Sequence, residues 1–181
     1  MVGRMVALDE QSFQAFLSAS NTKRISRIIL IAAGIGYGAI SIMSNAAYVE
    51  SFDSQLLQNV LVPFIFIVFG ILTAWLTKVG FSLLLWASAK GLGGKGLLRQ
   101  ISLAVPVILI PGMLGVPFLS GTGLENPLYL VLLVISLVWM YLISVKIIMI
   151  VEKFDAKKAY IAVALAFIFM ASIYYLVIPA A

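Results

Sequence analysis

The chain has 181 residues, of which 63% are hydrophobic and 10% charged, and its formal net charge is +5. Soluble domains are about 45–50% apolar and about 25% charged, so this composition excludes an ordinary water-soluble domain. It predicts an all-α fold, a polytopic membrane helix bundle. The sequence contains no cysteine and no histidine, the residues that most often supply disulfides, metal ligands and general bases. We therefore expect no enzyme activity, no cofactor and no metal site.

The basic charge balance could indicate a nucleic-acid partner, since the sequence pI is about 9.6. The cations, however, stand between apolar runs, as topology signals do in membrane proteins. We therefore expect membrane lipids as partners and no nucleic acid. The first 24 residues are mixed and polar, so we also expect no cleavable signal peptide.

Residues 1–24 are predicted to form a cytoplasmic amphipathic segment. Leu8, Phe13, Phe16 and Leu17 fall near helical spacing with polar residues between them, a pattern typical of a short helix lying on the membrane. The remaining residues, 25–181, are predicted to form one five-span membrane domain. Its spans are expected at about 26–47, 56–89, 97–119, 128–151 and 160–178.

The first span contains Gly34 and Gly38 in a GxxxG spacing. Small residues at this spacing clear one face of a helix for close approach by another. We expect this face to pack inside the protein's own bundle. Dimerisation through the same face, giving a homo-oligomer, is the alternative.

The second apolar run, 56–89, is unusually long. As one helix it would extend roughly 50 Å, well beyond the ~30 Å hydrocarbon core, yet it is too short for two spans and a turn. We predict one long helix, tilted or bent, whose last turns project past the membrane. Lys78 lies inside the run; we expect its side chain to extend to the membrane surface, the alternative being a wet cavity between helices.

A glycine-rich basic segment, Lys90-Gly-Leu-Gly-Gly-Lys-Gly96, follows this run. It is a candidate hinge, because glycine adopts backbone angles that other residues resist, so a helix can stop here and re-enter. Its candidate glycines are Gly91, Gly93, Gly94 and Gly96. A phosphate-binding P-loop is excluded, since Gly94-Lys95 is followed by glycine and not by serine or threonine.

The third span contains Pro106, Pro111 and Pro117. Because proline removes a backbone donor and clashes with the preceding turn, we expect a kink near Pro111. A true interruption of the helix, of the kind that marks transport sites, is the alternative.

The fourth span opens with Asn126 as a helix cap and carries Trp139 near its middle, which we expect to pack against other helices. Lys146 is a second candidate intramembrane charge, and its ammonium is again expected to reach the membrane surface. The last span ends with Tyr174 and Tyr175, which suit an aromatic belt at the membrane interface.

Basic residues alternate with acidic ones from loop to loop. Cations occur before the first span (Arg4, Lys23, Arg24, Arg27), in the second loop (Lys90, Lys95, Arg99) and in the fourth (Lys153, Lys157, Lys158), whereas the first and third loops carry only Glu50, Asp53 and Glu125. The positive-inside rule then places the N-terminus in the cytoplasm and the C-terminus outside, in the plasma membrane for a prokaryotic protein. The six cations of the second and fourth loops are candidate contacts for a partner or for lipid head groups.

The arrangement resembles the Yip1 domain family of five-span membrane proteins. The resemblance rests on Leu92-Gly-Gly-Lys-Gly96 after a long second span, on Arg99-Gln100 and Pro106, on Trp139-x-Tyr-Leu142, and on Lys158-Ala159 at the start of the last span. It covers roughly residues 10–178. Lys146 departs from it, standing where many relatives have a small residue.

The resemblance implies binding and carries over no catalytic residues. Eukaryotic members of the family are adaptors in vesicle traffic that bind prenylated small GTPases; prokaryotic members, which this short chain resembles more, have no agreed activity, and some are linked with ABC-type export systems. We therefore expect a non-enzymatic scaffold or adaptor that binds another membrane protein or complex through its cytoplasmic face. The alternative is a small transporter, a channel component or an accessory subunit of an export complex.

Overall fold

The computed structural model describes residues 1–120 and 126–177, with side chains as far as Ser172. Every regular element in these residues is helical, so the predicted all-α class is confirmed. The α-helices are α1 (Val2–Val6), α2 (Glu10–Ser18), α3 (Thr22–Ser44), α4 (Ala46–Glu50), α5 (Val62–Gly91), α6 (Leu98–Gly112), α7 (Val116–Leu119), α8 (Pro127–Glu152) and α9 (Ala156–Val177). A π-helical turn, Leu57–Leu61, precedes α5, and a 3-10 turn, Met113–Gly115, joins α6 to α7.

Four helical segments of the described chain are long and apolar enough to cross a membrane: Thr22–Ser44, Leu57–Gly91, Leu98–Leu119 and Pro127–Glu152. They coincide with the first four predicted spans. Helix α9 occupies the predicted fifth span, and a fifth crossing stays a prediction. The side chains of Tyr174 and Tyr175, and the acidic residue Glu125, lie outside the described residues.

The second segment is one continuous helix of 35 residues, about 52 Å long. The second apolar run is therefore one long helix, as predicted, and not two spans. Pro63 lies in the first turn of α5, directly after the π-helical turn, in which the N–H of Val62 bonds to the carbonyl of Leu57, five residues back.

Helices α3 and α5 pack backbone to backbone at the GxxxG face. A Cβ atom on Gly34 would lie 2.6 Å from the Cα of Ile71, and one on Gly38 would lie 2.6 Å from the Cα of Ile67. From the other side, a Cβ on Gly70 would overlap the carbonyl oxygen of Gly34. The glycines therefore serve the protein's own bundle, as the sequence favoured over dimerisation.

After Pro111 the third segment changes from an α-helix to a narrower 3-10 turn, and it stays helical. Gly112 keeps helical angles, with φ −56° and ψ −26°, and the N–H of Met113 bonds to the carbonyl of Ile110, three residues back. The carbonyl of Leu109, which this shift leaves free, accepts the hydroxyl of Tyr37 at 2.8 Å. A side chain of α3 thus satisfies the backbone group that the irregular turn releases, as an apolar environment requires.

The N-terminal segment packs against the bundle through α6 and α8. Met5, Phe13 and Phe16 are completely buried, so the apolar face of α2 is covered by protein. A helix that lies on the membrane surface is therefore not confirmed. The side chain of Asp9 caps α2 by accepting the N–H of Ser12 at 3.3 Å, and its bond with the Ser12 hydroxyl lowers the pKa of Asp9.

Two side chains of α8 hold this segment. The indole N–H of Trp139 donates to the carbonyl of Val6 at 2.8 Å, and the ammonium of Lys146 forms an ion pair with Glu10. Lys146 thus meets a carboxylate of the same chain, where the sequence suggested an isolated ammonium extending to the surface.

We expect Gly38→Ala to destabilise the bundle, because the added Cβ would lie 2.6 Å from the backbone of α5 and overpacking typically costs about 1–3 kcal/mol. Unfolding in a mild detergent, followed by circular dichroism, measures the loss. Gly80→Ala is the matched control, since its Cβ would meet only Met170, at an ordinary 3.9 Å. Equal melting of the two variants would contradict the proposed role of the glycine face.

We expect Lys146→Glu to release the N-terminal segment, because two carboxylates would then face each other where Lys146 and Glu10 pair. Hydrogen exchange over residues 1–18 measures the release as faster exchange. Adding Glu10→Lys restores opposite charges and should restore protection, whereas Lys95→Glu, at an exposed site, should leave exchange unchanged. A segment that stays protected in Lys146→Glu would show that the ion pair is dispensable.

Candidate functional site

The two basic loops meet at a buried carboxylate. Glu152, the last residue of α8, is only 7% exposed, and its Oε2 accepts the backbone N–H of Gly96 at 2.6 Å. This bond joins the segment 92–97 to the end of α8. A single side chain therefore fixes the second loop against the fourth; we call this contact the Glu152 clasp.

Glycine is required in the clasp because the carboxylate occupies the space of two side chains. A Cβ on Gly94 would lie 2.5 Å from Oε2 of Glu152, and one on Gly96 would lie 2.7 Å from Oε1. Real Cβ atoms essentially never make such contacts, so the carboxylate would have to move. Other atoms are also close: the carbonyl oxygen of Ala89 lies 2.9 Å from the position at Gly94, and Cγ1 of Val151 lies 2.8 Å from that at Gly96. Gly94 and Gly96 thus form a cradle that only a backbone without side chains can provide.

Gly93 has a different task, since it ends α5. Its φ is +82°, and the N–H groups of Gly93 and Gly94 bond to the carbonyls of Lys90 and Ala89 at 2.9 Å each. This is the Schellman motif, in which glycine takes the left-handed position after a helix. Gly91, the remaining candidate, is the last residue of α5 and has open space beside it.

The sequence did not single out Glu152, because it reads as one more charge in the short polar loop 152–158. Its burial depends on contact with glycines on another part of the bundle, 56 positions earlier in the chain. The signal available was the Gly94-x-Gly96 pair itself, which indicates close approach of another group but not its identity. Oε1 of Glu152 has no hydrogen-bond partner among the described residues.

Around the clasp lies a surface that we call the basic platform, formed by Lys90, Lys95, Lys153, Lys157 and Lys158. Two of its cations stack on aromatic rings: the ammonium of Lys158 lies 4.5 Å from the ring centre of Phe154, and that of Lys90 lies 6.0 Å from that of Trp86. The others are exposed. Across the described chain the only ion pair joins Lys146 to Glu10, so no platform cation is ion-paired, and the exposed carboxylate in the same loops is that of Asp155.

Arg99, which the sequence grouped with the basic loops, lies elsewhere. It lines a cavity of about 670 Å3 between α3, α5 and α6 together with Lys23, Arg27 and Lys78. We call this space the cationic cavity. The structure thus divides the predicted charges into two sets, one around the clasp and one in the cavity, and brings Lys78 together with cations of two other helices.

No constellation for metal chemistry occurs in the part of the chain that the structure describes: no three acidic side chains lie close enough to share an ion. Comparison with family models, with curated proteins and with solved structures gives no significant match. Function is therefore argued from the geometry of the platform and its clasp.

We expect Gly96→Ala to displace the Glu152 carboxylate, because the new methyl group would overlap it. Loss of the hydrogen bond and its buried acceptor should cost about 1–3 kcal/mol. A double-mutant cycle with Glu152→Ala, measured by unfolding in detergent, isolates the contact. The two substitutions should be less than additive, since Glu152→Ala removes the carboxylate that the methyl group would overlap and leaves only its contact with Cγ1 of Val151, at 2.8 Å; simple additivity would refute the clasp.

Proposed function

We propose that the protein is a non-enzymatic membrane adaptor whose basic platform binds an acidic surface of another membrane or membrane-associated protein. The observation that supports this is the Glu152 clasp, which joins two short loops into one fixed surface. Each loop alone is too short to form a binding domain. Held together, they present several cations in a constant arrangement, and such preorganisation lowers the entropic cost of binding.

The charge of the platform favours an acidic partner. The platform has five lysines against two acids, the buried Glu152 and the exposed Asp155. A surface with this excess of positive charge attracts a surface of opposite sign and steers its approach. Stacking of Lys90 and Lys158 on aromatic rings holds two of the ammonium groups in place. These features concern recognition, and none of them needs a reactive side chain.

We further propose five crossings, with the N-terminus and the platform in the cytoplasm and the C-terminus outside. The positive-inside rule supports this orientation, because the cations alternate with acidic loops along the chain. The resemblance to the Yip1 family supports the same arrangement and an adaptor role. In this assignment the N-terminal segment, docked through Glu10 and Trp139, belongs to the cytoplasmic half of the bundle.

A transporter is the less favoured alternative. The described residues line a second, more apolar cavity of about 840 Å3 that includes Gly70 and Tyr37. Backbones of α3 and α5 touch at Gly34, Gly38 and Gly70, between the helix faces that line this cavity and those that line the cationic one. That contact argues against a continuous path from one cavity to the other.

Site-specific photocrosslinking in intact cells tests the adaptor proposal. A photoreactive residue in place of Lys157 samples the platform, and one in place of Tyr48, an exposed residue next to the acidic first loop, is the control. We expect a defined heterologous product from Lys157 that weakens at least several-fold when Lys95 and Lys153 are changed to glutamine, because the partner would lose its charge contacts.

Two results would reject the proposal. The first is crosslinking of Lys157 only to copies of the same chain. The second is a product whose yield is independent of the platform cations, which would indicate contact without recognition. In either case, flux measurements in reconstituted vesicles would then test the transporter alternative.

A further inference from the structure

The cationic cavity has an amphipathic lining, in which charged and apolar side chains are separated along each of three helices. On α3, Lys23 and Arg27 precede Leu30 and Ile31; on α6, Arg99 precedes Leu103. Helix α5 runs in the opposite direction, and there the order is reversed, with Leu72 and Trp75 before Lys78. All four cations therefore lie at one end of the cavity and the apolar side chains at the other.

The depth of Lys78 matches a membrane boundary. It follows Leu57, the first residue of its long helix, by a rise of about 31 Å, close to the ~30 Å thickness of the hydrocarbon core. Trp75 lies one turn earlier, and tryptophan favours the head-group level. The charged end of the cavity is thus placed where lipid phosphates lie, and the apolar end where acyl chains lie.

The charge in the cavity calls for an anion. Four cations line one space, and in the described chain no carboxylate lies within ion-pair distance of any of them. Like charges gathered beside a low-dielectric medium repel one another unless an anion lies between them. The apolar walls that continue from the cations favour an anion that carries a hydrocarbon chain.

We propose that the cationic cavity binds an anionic phospholipid, with the phosphate among Lys23, Arg27, Lys78 and Arg99 and an acyl chain along Leu72 and Ile31. Basic spaces between transmembrane helices bind anionic head groups by such contacts. The lipid would neutralise the cluster and fill the gap between α3, α5 and α6. This site is distinct from the basic platform and does not depend on the adaptor function.

Native mass spectrometry of the purified protein, incubated with equal amounts of phosphatidylglycerol and phosphatidylcholine, tests the proposal. We expect selective retention of phosphatidylglycerol. The double variant Lys78→Gln/Arg99→Gln should lose about fivefold in apparent affinity for each cation, about 30-fold in all. The matched control Lys95→Gln/Lys157→Gln removes the same charge from the platform and should keep the wild-type preference.

Quenching of Trp75 by bromine-labelled lipid locates the ligand in the wild-type protein, so the test holds even if the double variant does not fold. Brominated phosphatidylglycerol should quench more strongly than brominated phosphatidylcholine, and Trp75→Phe should remove the difference. Equal loss of affinity in both double variants, or equal quenching by both lipids, would overturn the proposal. Displacement of phosphatidylglycerol by excess inorganic phosphate would assign the cavity to a free anion instead.

Discussion

The carboxylate of Glu152 is the contact on which the arrangement of the basic loops depends. It lies at the end of α8 and accepts a backbone N–H from the segment that links α5 to α6. Four helices meet there, because α9 begins only a few residues after Glu152. A buried carboxylate is costly unless it finds donors, and the glycine cradle provides the close approach that one such donor requires. The loops are therefore held together by the hydrogen bond that the buried carboxylate requires as much as by their own turn residues.

Backbone groups in an apolar environment need hydrogen-bond partners, and this second requirement shapes the third membrane helix. Two prolines inside α6 remove donors, and the 3-10 turn that follows changes the partners of the carbonyls. Tyr37 supplies a hydroxyl from the neighbouring helix to one of them, and Gly112 leaves room for its ring. The proline-rich segment can thus remain helical through its length, because its irregularity is compensated across a helix interface.

Much of the architecture could be predicted from the sequence because apolar length and glycine spacing act locally. The long second helix and the packing of Gly34 and Gly38 follow from rules that operate within a helix or at its surface. The positions of Glu152, Lys146 and Arg99 could not be predicted in the same way. Each contacts residues far along the chain, and single-sequence patterns do not encode which distant groups meet. Charges that looked alike in the sequence therefore belong to a buried clasp, an ion pair and a cavity.

The docking of the N-terminal segment has a consequence for biogenesis. Trp139 and its acceptor Val6 are separated by 133 positions, so the partner of the first helix is made late. At about 5–20 residues per second, the ribosome needs roughly 7–27 s to reach it. For most of that interval the phenyl rings of Phe13 and Phe16, completely buried in the finished protein, have neither α6 nor α8 to cover them, because α6 ends at Gly112. Early in synthesis this segment is an exposed apolar element that the membrane surface or a chaperone must shield, and it becomes part of the bundle only when α8 has been inserted.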